Sequence, residues 1–270
     1  MSNPFARFQR PGGLIGKAGG GGASSAGGPP TVPPNLAQLV HWYDFDDLST
    51  LWQDLAGTIP ITTPGQSIQR IDDKGLFNTE LIDASAGQFR SPFWEFSNGT
   101  GEYSSPPGGF NKVLSSQVSP GIGGLERTLA WVVDRDNADT GTVYPSAWNL
   151  NAGVAIDQFS GNNLQGFSNS VGVNGLFVSR ALLGALFLHR FPSSMELYDS
   201  EHAGFLSAVN ATFTEPIANR DLSVGALTTG SGNDWRGIIK AVFYWSGALI
   251  ASDIDIFKAF TDAKYGVSWA

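Results

Sequence analysis

One stretch constrains this chain more than any other, residues 235–266, WRGIIKAVFYWSGALIASDIDIFKAFTDAKYG. Ile238, Ile239, Ala241, Val242, Phe243, Tyr244 and Trp245 are β-branched, aromatic or small, and only Lys240 interrupts them. Such a run fits a pleated strand. Being apolar at successive positions, it is expected to be buried on both faces. Ser246-Gly247 ends it as a turn. A short helix is predicted next, with Ser252 as N-cap and Asp255 completing a capping box. Ile256, Phe260 and Ala263, with Phe257 beside them, give it an apolar face. Lys264 falls in its last turn and Gly266 stops it. The stretch reads as a central strand of a β-sandwich, closed by a small helix against one edge.

The remaining strands are short. Residues 36–45 read as the first, and Asp46 or Asp47 is placed to cap a short helix in DLSTLWQD. Further strand patterns occupy 89–97, 125–134, 142–148, 152–159, 164–167, 171–178, 182–190, 194–199 and 221–227. Turn residues separate them about every ten residues, which is the pattern of a sandwich. The 34 glycines and 15 prolines supply those turns, and 41% hydrophobic residues over 270 positions supply a core. Trp42, Trp131 and Trp245 lie inside apolar strands and are expected in that core. Trp148, Trp235 and Trp269, near turns or the chain end, are the tryptophans expected at the surface.

Residues 1–35 differ in kind. MSNPFARFQRPGG is followed by the low-complexity GKAGGGGASSAGGPP and the stiff TVPPN. This composition cannot bury a core of its own. We expect an arm at 1–35, ordered on a neighbouring subunit through Phe5, Phe8, Leu14 and Ile15, ahead of a single domain at 36–270. Arg7, Arg10 and Lys17 make the arm basic, whereas everything from Asp44 onward holds 13 basic and 24 acidic residues. An acidic body argues against nucleic acid as a partner, since phosphate contacts need clustered Lys and Arg. The basic arm suits an acidic partner.

Both ends of the domain carry a resemblance. Gly237, the strand 238–245, Leu249, Ile254, Phe257 and Lys264-Tyr265-Gly266 are similar to the closing segment of concanavalin A-like, or laminin-G-like, jelly rolls. The opening matches at Trp42, Asp44, the run Ser49-Thr50-Leu51-Trp52-Gln53-Asp54, Ala56-Gly57-Thr58, Pro60-Ile61-Thr62, Gly65 and Asp73-Lys74. It resembles modules of this kind in bacteriophage particle proteins, with the usual Asp-Lys-Ser-Gly-Asn turn shortened to Asp73-Lys74-Gly75. Thr100-Gly101-Glu102-Tyr103, Thr128 and Trp131-Val132 resemble further strands of the module. The resemblance implies an all-β, two-sheet antiparallel jelly-roll sandwich with a short C-terminal helix and an extended N-terminal arm. It implies a non-enzymatic structural protein on the surface of a phage particle, as a decoration, head-fibre or tail-accessory subunit. The arm would join it to other virion proteins, and a homo-oligomer is expected. The scaffold serves many functions. The alternatives are a lectin-like module for host-surface glycans and, after it, a glycan hydrolase.

Chemistry-bearing clusters are few. Asn233, Asp234 and Trp235 beside Gly230–Gly232 form the most lectin-like loop. Asp134, Asp136 and Asp139 in DRDNAD offer alternate oxygens to Ca²⁺, without the Gly and distal Glu of a helix-loop-helix calcium site. No other cofactor is expected. Glu196, Asp199 and Glu201 are the carboxylates closest to a glycosidase pair. Only Asp199 and Glu201 share a strand face, and the family's Glu-x-Asp-x-x-Glu pattern is missing. His41, His189 and His202 are too far apart in sequence to share a ligand motif. Cysteine is absent, which removes disulfides and thiolate chemistry. No run of 18 apolar residues predicts a membrane span, and no apolar stretch follows Arg7 and Arg10 as in a secretory signal.

Overall fold

The computed structural model describes residues 28–83, 93–97, 100–105, 114–116, 126–135, 154–159, 163–168, 171–176, 184–190, 194–200, 204–210, 223–224 and 237–270. In chain order the strands are β1 Leu39–Asp44, β2 Leu51–Trp52, β3 Arg70–Ile71, β4 Leu81–Asp83, β5 Phe93–Ser97, β6 Thr100–Ser105, β7 Leu114–Ser115 and β8 Arg127–Arg135. They continue as β9 Val154–Phe159, β10 Asn163–Ser168, β11 Val171–Leu176, β12 Gly184–Arg190, β13 Ser194–Asp199, β14 Gly204–Asn210, β15 Ser223–Val224 and β16 Gly237–Trp245. A single 3-10 turn spans Leu48–Thr50, and α1 spans Ala251–Tyr265. The architecture is an antiparallel β-sandwich. Its large sheet runs β14-β13-β12-β8-β16-β6-β5, with β1 also on β16; a five-stranded sheet runs β15-β7-β4-β3-β2; a three-stranded sheet joins β11, β10 and β9.

The apolar strand is central, as its composition requires. β16 pairs with β8 along one side. On the other it pairs with β6 through Gly237–Ile239 and with β1 through Ala241–Trp245. Ile239 and every residue from Ala241 to Trp245 are buried. Lys240 interrupts the run because it sits at a bulge: the register against β8 shifts between Ile239 and Ala241. Its side chain is buried, and its carbonyl accepts from Phe45 N at 3.0 Å. Trp42, Trp131 and Trp245 are all in the core.

The C-terminal helix departs from expectation in three ways. It covers a face of the large sheet, not an edge. Ala241, Phe243 and Trp245 of β16, with Ala130 and Val132 of β8 and Trp42 of β1, pack against Phe257, Phe260 and Tyr265. Trp245 meets Phe257 edge to face at 5.7 Å, and Phe243 meets Phe257 and Phe260 in the same way. Second, the buried stripe is Phe257, Phe260, Thr261 and Tyr265, while Ile256 and Ala263 face solvent. Third, Ser252 is not the cap. The N-cap position is Ile250, without a side-chain cap bond. The chain reaches it already fixed by Thr128, whose Oγ1 donates to Gly247 O and accepts from Leu249 N, and the N-cap falls two residues ahead of Ser252. The stop holds as expected: Gly266 is left-handed at φ 73° and donates to Asp262 O at 2.9 Å.

The two ends that carry the family resemblance meet in one polar clasp. Asp44, fully buried in β1, accepts from Tyr265 Oη at 3.0 Å and pairs with Lys74 at 3.0 Å and Lys264 at 3.3 Å. Lys74 also pairs with Asp47, and Lys264 with Asp46. Burial disfavours the Lys74 ammonium, but Asp44 and Asp47 outweigh it and raise its pKa above the ordinary lysine value. Lys74 lies 4.0 Å from the centre of the Trp42 ring. Asp73 accepts from Trp42 N, Gly75 N, Thr79 N and His41 Nδ1, the last at 2.6 Å. The shortened turn requires Gly75, where a Cβ would overlap the Val40 carbonyl oxygen and lie 2.6 Å from His41 Cα. The cap of the 3-10 turn is Asp47, accepting from Ser49 N at 3.1 Å.

At the start of the described chain, Pro33 and Pro34 are buried, and Pro34 O accepts from Trp245 Nε1 at 2.9 Å. Phe5, Arg7, Phe8, Arg10, Leu14 and Ile15 lie outside the described residues.

Candidate functional site

After Gly266 the chain turns back along α1, and this reversal builds the site. Val267 is buried and holds the turn down. Ala270 N donates to Ser200 O at 2.9 Å, which pins the last residue to the end of β13. Between these anchors Trp269 lies against the helix. Its Nε1 donates to Thr261 Oγ1 at 2.9 Å, and its ring meets Phe257 at 6.4 Å, inclined by 72°. One edge of the indole is therefore fixed in the protein, while the residue stays partly exposed.

Beside it opens a pocket of about 310 Å³, lined by Lys258, Ala259, Asp262, Ser268 and Trp269. Lys258 Nζ stands 5.4 Å from the indole centre. Lys258 and Asp262 are four residues apart on one helix face, a spacing at which an ion pair can form. Here they form none, and among the described residues neither side chain has a hydrogen-bond partner. The small Ala259 leaves room between them. The pocket thus joins an apolar ring, a cationic donor, an anionic acceptor and a hydroxyl, all open to solvent.

The structure brings few of the sequence candidates together. Trp269 is where a surface tryptophan was expected. Asn233, Asp234, Trp235, Trp148, Asp136, Asp139, Glu201 and His202 lie outside the described residues, and of Asp134 only its place in β8 is described. Glu196 and Asp199 stand on opposite faces of β13. The irregularity against β14 places the extra residue in β14, so β13 keeps its alternation. Glu196 instead accepts from Tyr198 Oη at 2.7 Å. Burial and this bond raise the Tyr198 pKa far above its ordinary value. His41 is a core residue held by Asp73, and His189 lies in β12. Among the described residues, no group of three or more His, Asp or Glu is arranged to hold a metal ion, and no helix is long and apolar enough to cross a membrane. Sequence reasoning missed Lys258, Asp262 and Ser268, whose one visible sign is the Lys–Asp spacing ahead of a terminal tryptophan.

No protein-family model matches this chain, and no curated protein matches its sequence. Solved structures do match its fold. One is domain 4 of a GH43 extracellular arabinanase from Geobacillus stearothermophilus, in complex with arabinotriose. That match has a TM-score of 0.52 and 13% identity, and covers 82% of this chain and 98% of that one. A second is a GH54 α-L-arabinofuranosidase, with a TM-score of 0.54 and 11% identity over 84% of this chain and 63% of that one. A Trypanosoma rangeli sialidase matches with a TM-score of 0.47 and 12% identity, and this chain spans 33% of its length. The first two matches show the sandwich fold. These structures carry no link to a bacteriophage particle. They also correct the expectation of a non-enzymatic chain: the fold is shared with chains from glycoside hydrolases, so it gives no ground for setting enzymes aside.

Proposed function

We propose that this protein recognises carbohydrate, and that the pocket at Trp269 is a sugar-binding site. The observation that carries the reading is the pocket itself, with a positioned indole beside an amine and a carboxylate that, among the described residues, form no hydrogen bond or ion pair. A pyranose or furanose ring has a C–H face that lies on the negative face of an indole. Its adjacent hydroxyls can donate to Asp262 and accept from Lys258, while Ser268 supplies a further hydroxyl. Few convergent polar groups around an apolar surface are the usual make-up of a small-ligand site. Lys258 leaves only a cation–π contact when it turns to a ligand, worth about 0.5–1 kcal/mol at an exposed site. That domain 4 of the arabinanase holds arabinotriose on a similar fold supports the choice of ligand class.

The test is a titration with α-1,5-arabinotriose, xylotriose, cellotriose and sialyllactose. The readout is the indole N–H resonances, with Trp269 assigned through Trp269→Phe. A saturating shift of the Trp269 signal with at least one sugar is expected. Shifts confined to other tryptophans, or none with any sugar, contradict the assignment.

A further inference from the structure

The five-stranded sheet has two unlike faces. On one, Leu51, Ile61, Ile71, Leu81, Leu114 and Val224 are almost wholly buried. On the other, the pairings align Pro60, Trp52, Arg70 and Ile82 in one row across adjacent strands. Pro60 is exposed and the other three are partly exposed. Three strand spacings make this row roughly 14 Å long, the reach of a short oligosaccharide.

Its centre is held rigid. Asp72 accepts from Trp52 Nε1 at 2.8 Å through one oxygen and from Arg70 Nε at 2.7 Å through the other. One carboxylate therefore fixes the indole and the guanidinium relative to each other. Gly57, at φ 70°, lets the preceding turn close on Arg70, since a Cβ there would lie 3.3 Å from Arg70 Cζ and Nε. Asp54 holds that turn by accepting from Thr58 N and Ile59 N, both at 2.9 Å. Among the described residues, the two Nη groups of Arg70 have no hydrogen-bond partner. The result is a pre-organised donor fork beside a partly exposed indole, far in sequence from the pocket at Trp269.

We propose that this outer face is a second glycan-contact surface, which lays a linear neutral polysaccharide across Trp52 and hydrogen-bonds it through Arg70 Nη. This rests on the carbohydrate reading above. The ligand is taken as neutral for two reasons. Arg70 is already balanced by Asp72, and the whole chain carries a net charge of −8, so a polyanion gains little here. A rigid pair of binding groups loses little entropy when it engages a chain.

The 270-residue chain is run on native gels containing linear arabinan, arabinoxylan, mixed-linkage β-glucan or polygalacturonate. Four forms are compared: wild type, Lys258→Ala/Asp262→Ala, Arg70→Ala, and the triple variant. At least one neutral polysaccharide should retard the wild type. The pocket variant should keep a weaker retardation by the same polysaccharide. Adding Arg70→Ala should reduce its relative affinity about tenfold or more, as expected for lost hydrogen bonds to a charged group. Arg70→Lys, which keeps the charge but not the fork, should behave like Arg70→Ala. Wild-type retardation by Arg70→Ala, with none by the pocket variant, overturns this surface but leaves the pocket standing. Retardation by polygalacturonate alone, or a changed sedimentation coefficient in Arg70→Ala, would assign the face to polyanions or to a protein contact instead. No retardation of the wild type by any gel overturns both sites.

Discussion

The clasp between β1 and the C-terminal helix and the pocket beside Trp269 use the same residue types in opposite ways. Both place lysine and aspartate next to an aromatic ring. In the clasp Asp44 is fully buried, and Lys74 and Lys264 each pair with two aspartates. In the pocket Lys258 and Asp262 share one helix face and, among the described residues, neither forms an ion pair. Buried charge without a partner is costly, so burial forces the first arrangement. Open charge tolerates the second, which leaves its capacity for a ligand. The motifs that carry the family resemblance therefore hold the fold together, and the proposed sugar pocket lies in residues that no motif marks.

Substitutions should separate the two regions. The largest effect belongs to the core behind the clasp: Trp245→Ala should cost about 3–5 kcal/mol, measured by chemical denaturation. A melting temperature within a degree or two of wild type would mean that the helix does not seal the sheet. Asp73→Ala leaves Trp42 N, Gly75 N, Thr79 N and His41 Nδ1 without their acceptor. At about 1–3 kcal/mol for a buried unsatisfied group, a loss of roughly 3 kcal/mol or more is expected. Gly266→Ala forces a left-handed alanine, and a loss of about 1 kcal/mol is expected.

The clasp should also show in the pH dependence of stability. Burial pushes the Asp47 pKa up, but its bonds to Lys74 and Ser49 outweigh this and hold it below the ordinary aspartate value. A lowered folded pKa gives stability that is present above about pH 4 and lost as pH falls through the folded value. Lys74 has the opposite sign. Its raised pKa gives stability present below about pH 10 and lost as pH rises through its folded value. Urea midpoints should thus be flat between these limits. Lys74→Met should weaken both limbs, and an unchanged acid limb would mean that Lys74 does not stabilise the Asp47 carboxylate.

Much of the fold was legible in the sequence. The run 238–245 has the composition of a strand buried on both faces, and that is how β16 lies. What covers each face was not legible. Alternation says that Phe243 and Trp245 share a side, but it does not say whether a sheet or a helix lies against it. The false cap at Ser252 has a similar origin. Its local pattern is sound, but Thr128, more than a hundred residues away, sets where the helix begins. The pocket was least legible. Lys258, Asp262 and Trp269 meet because Gly266 turns the chain back, and the Lys–Asp spacing reads on paper as an ordinary surface ion pair.

The contrast between paired and unpaired charge is tested most directly by calorimetry on Lys258→Ala/Asp262→Ala, with sugar titration and thermal unfolding on the same samples. Surface changes of this kind stay within about 0.5 kcal/mol, so the variant should unfold with the wild type. It should also lose the heat of binding to whichever trisaccharide shifts the Trp269 resonance. Undiminished sugar binding, or marked destabilisation, would show that these two side chains serve the fold and not a ligand.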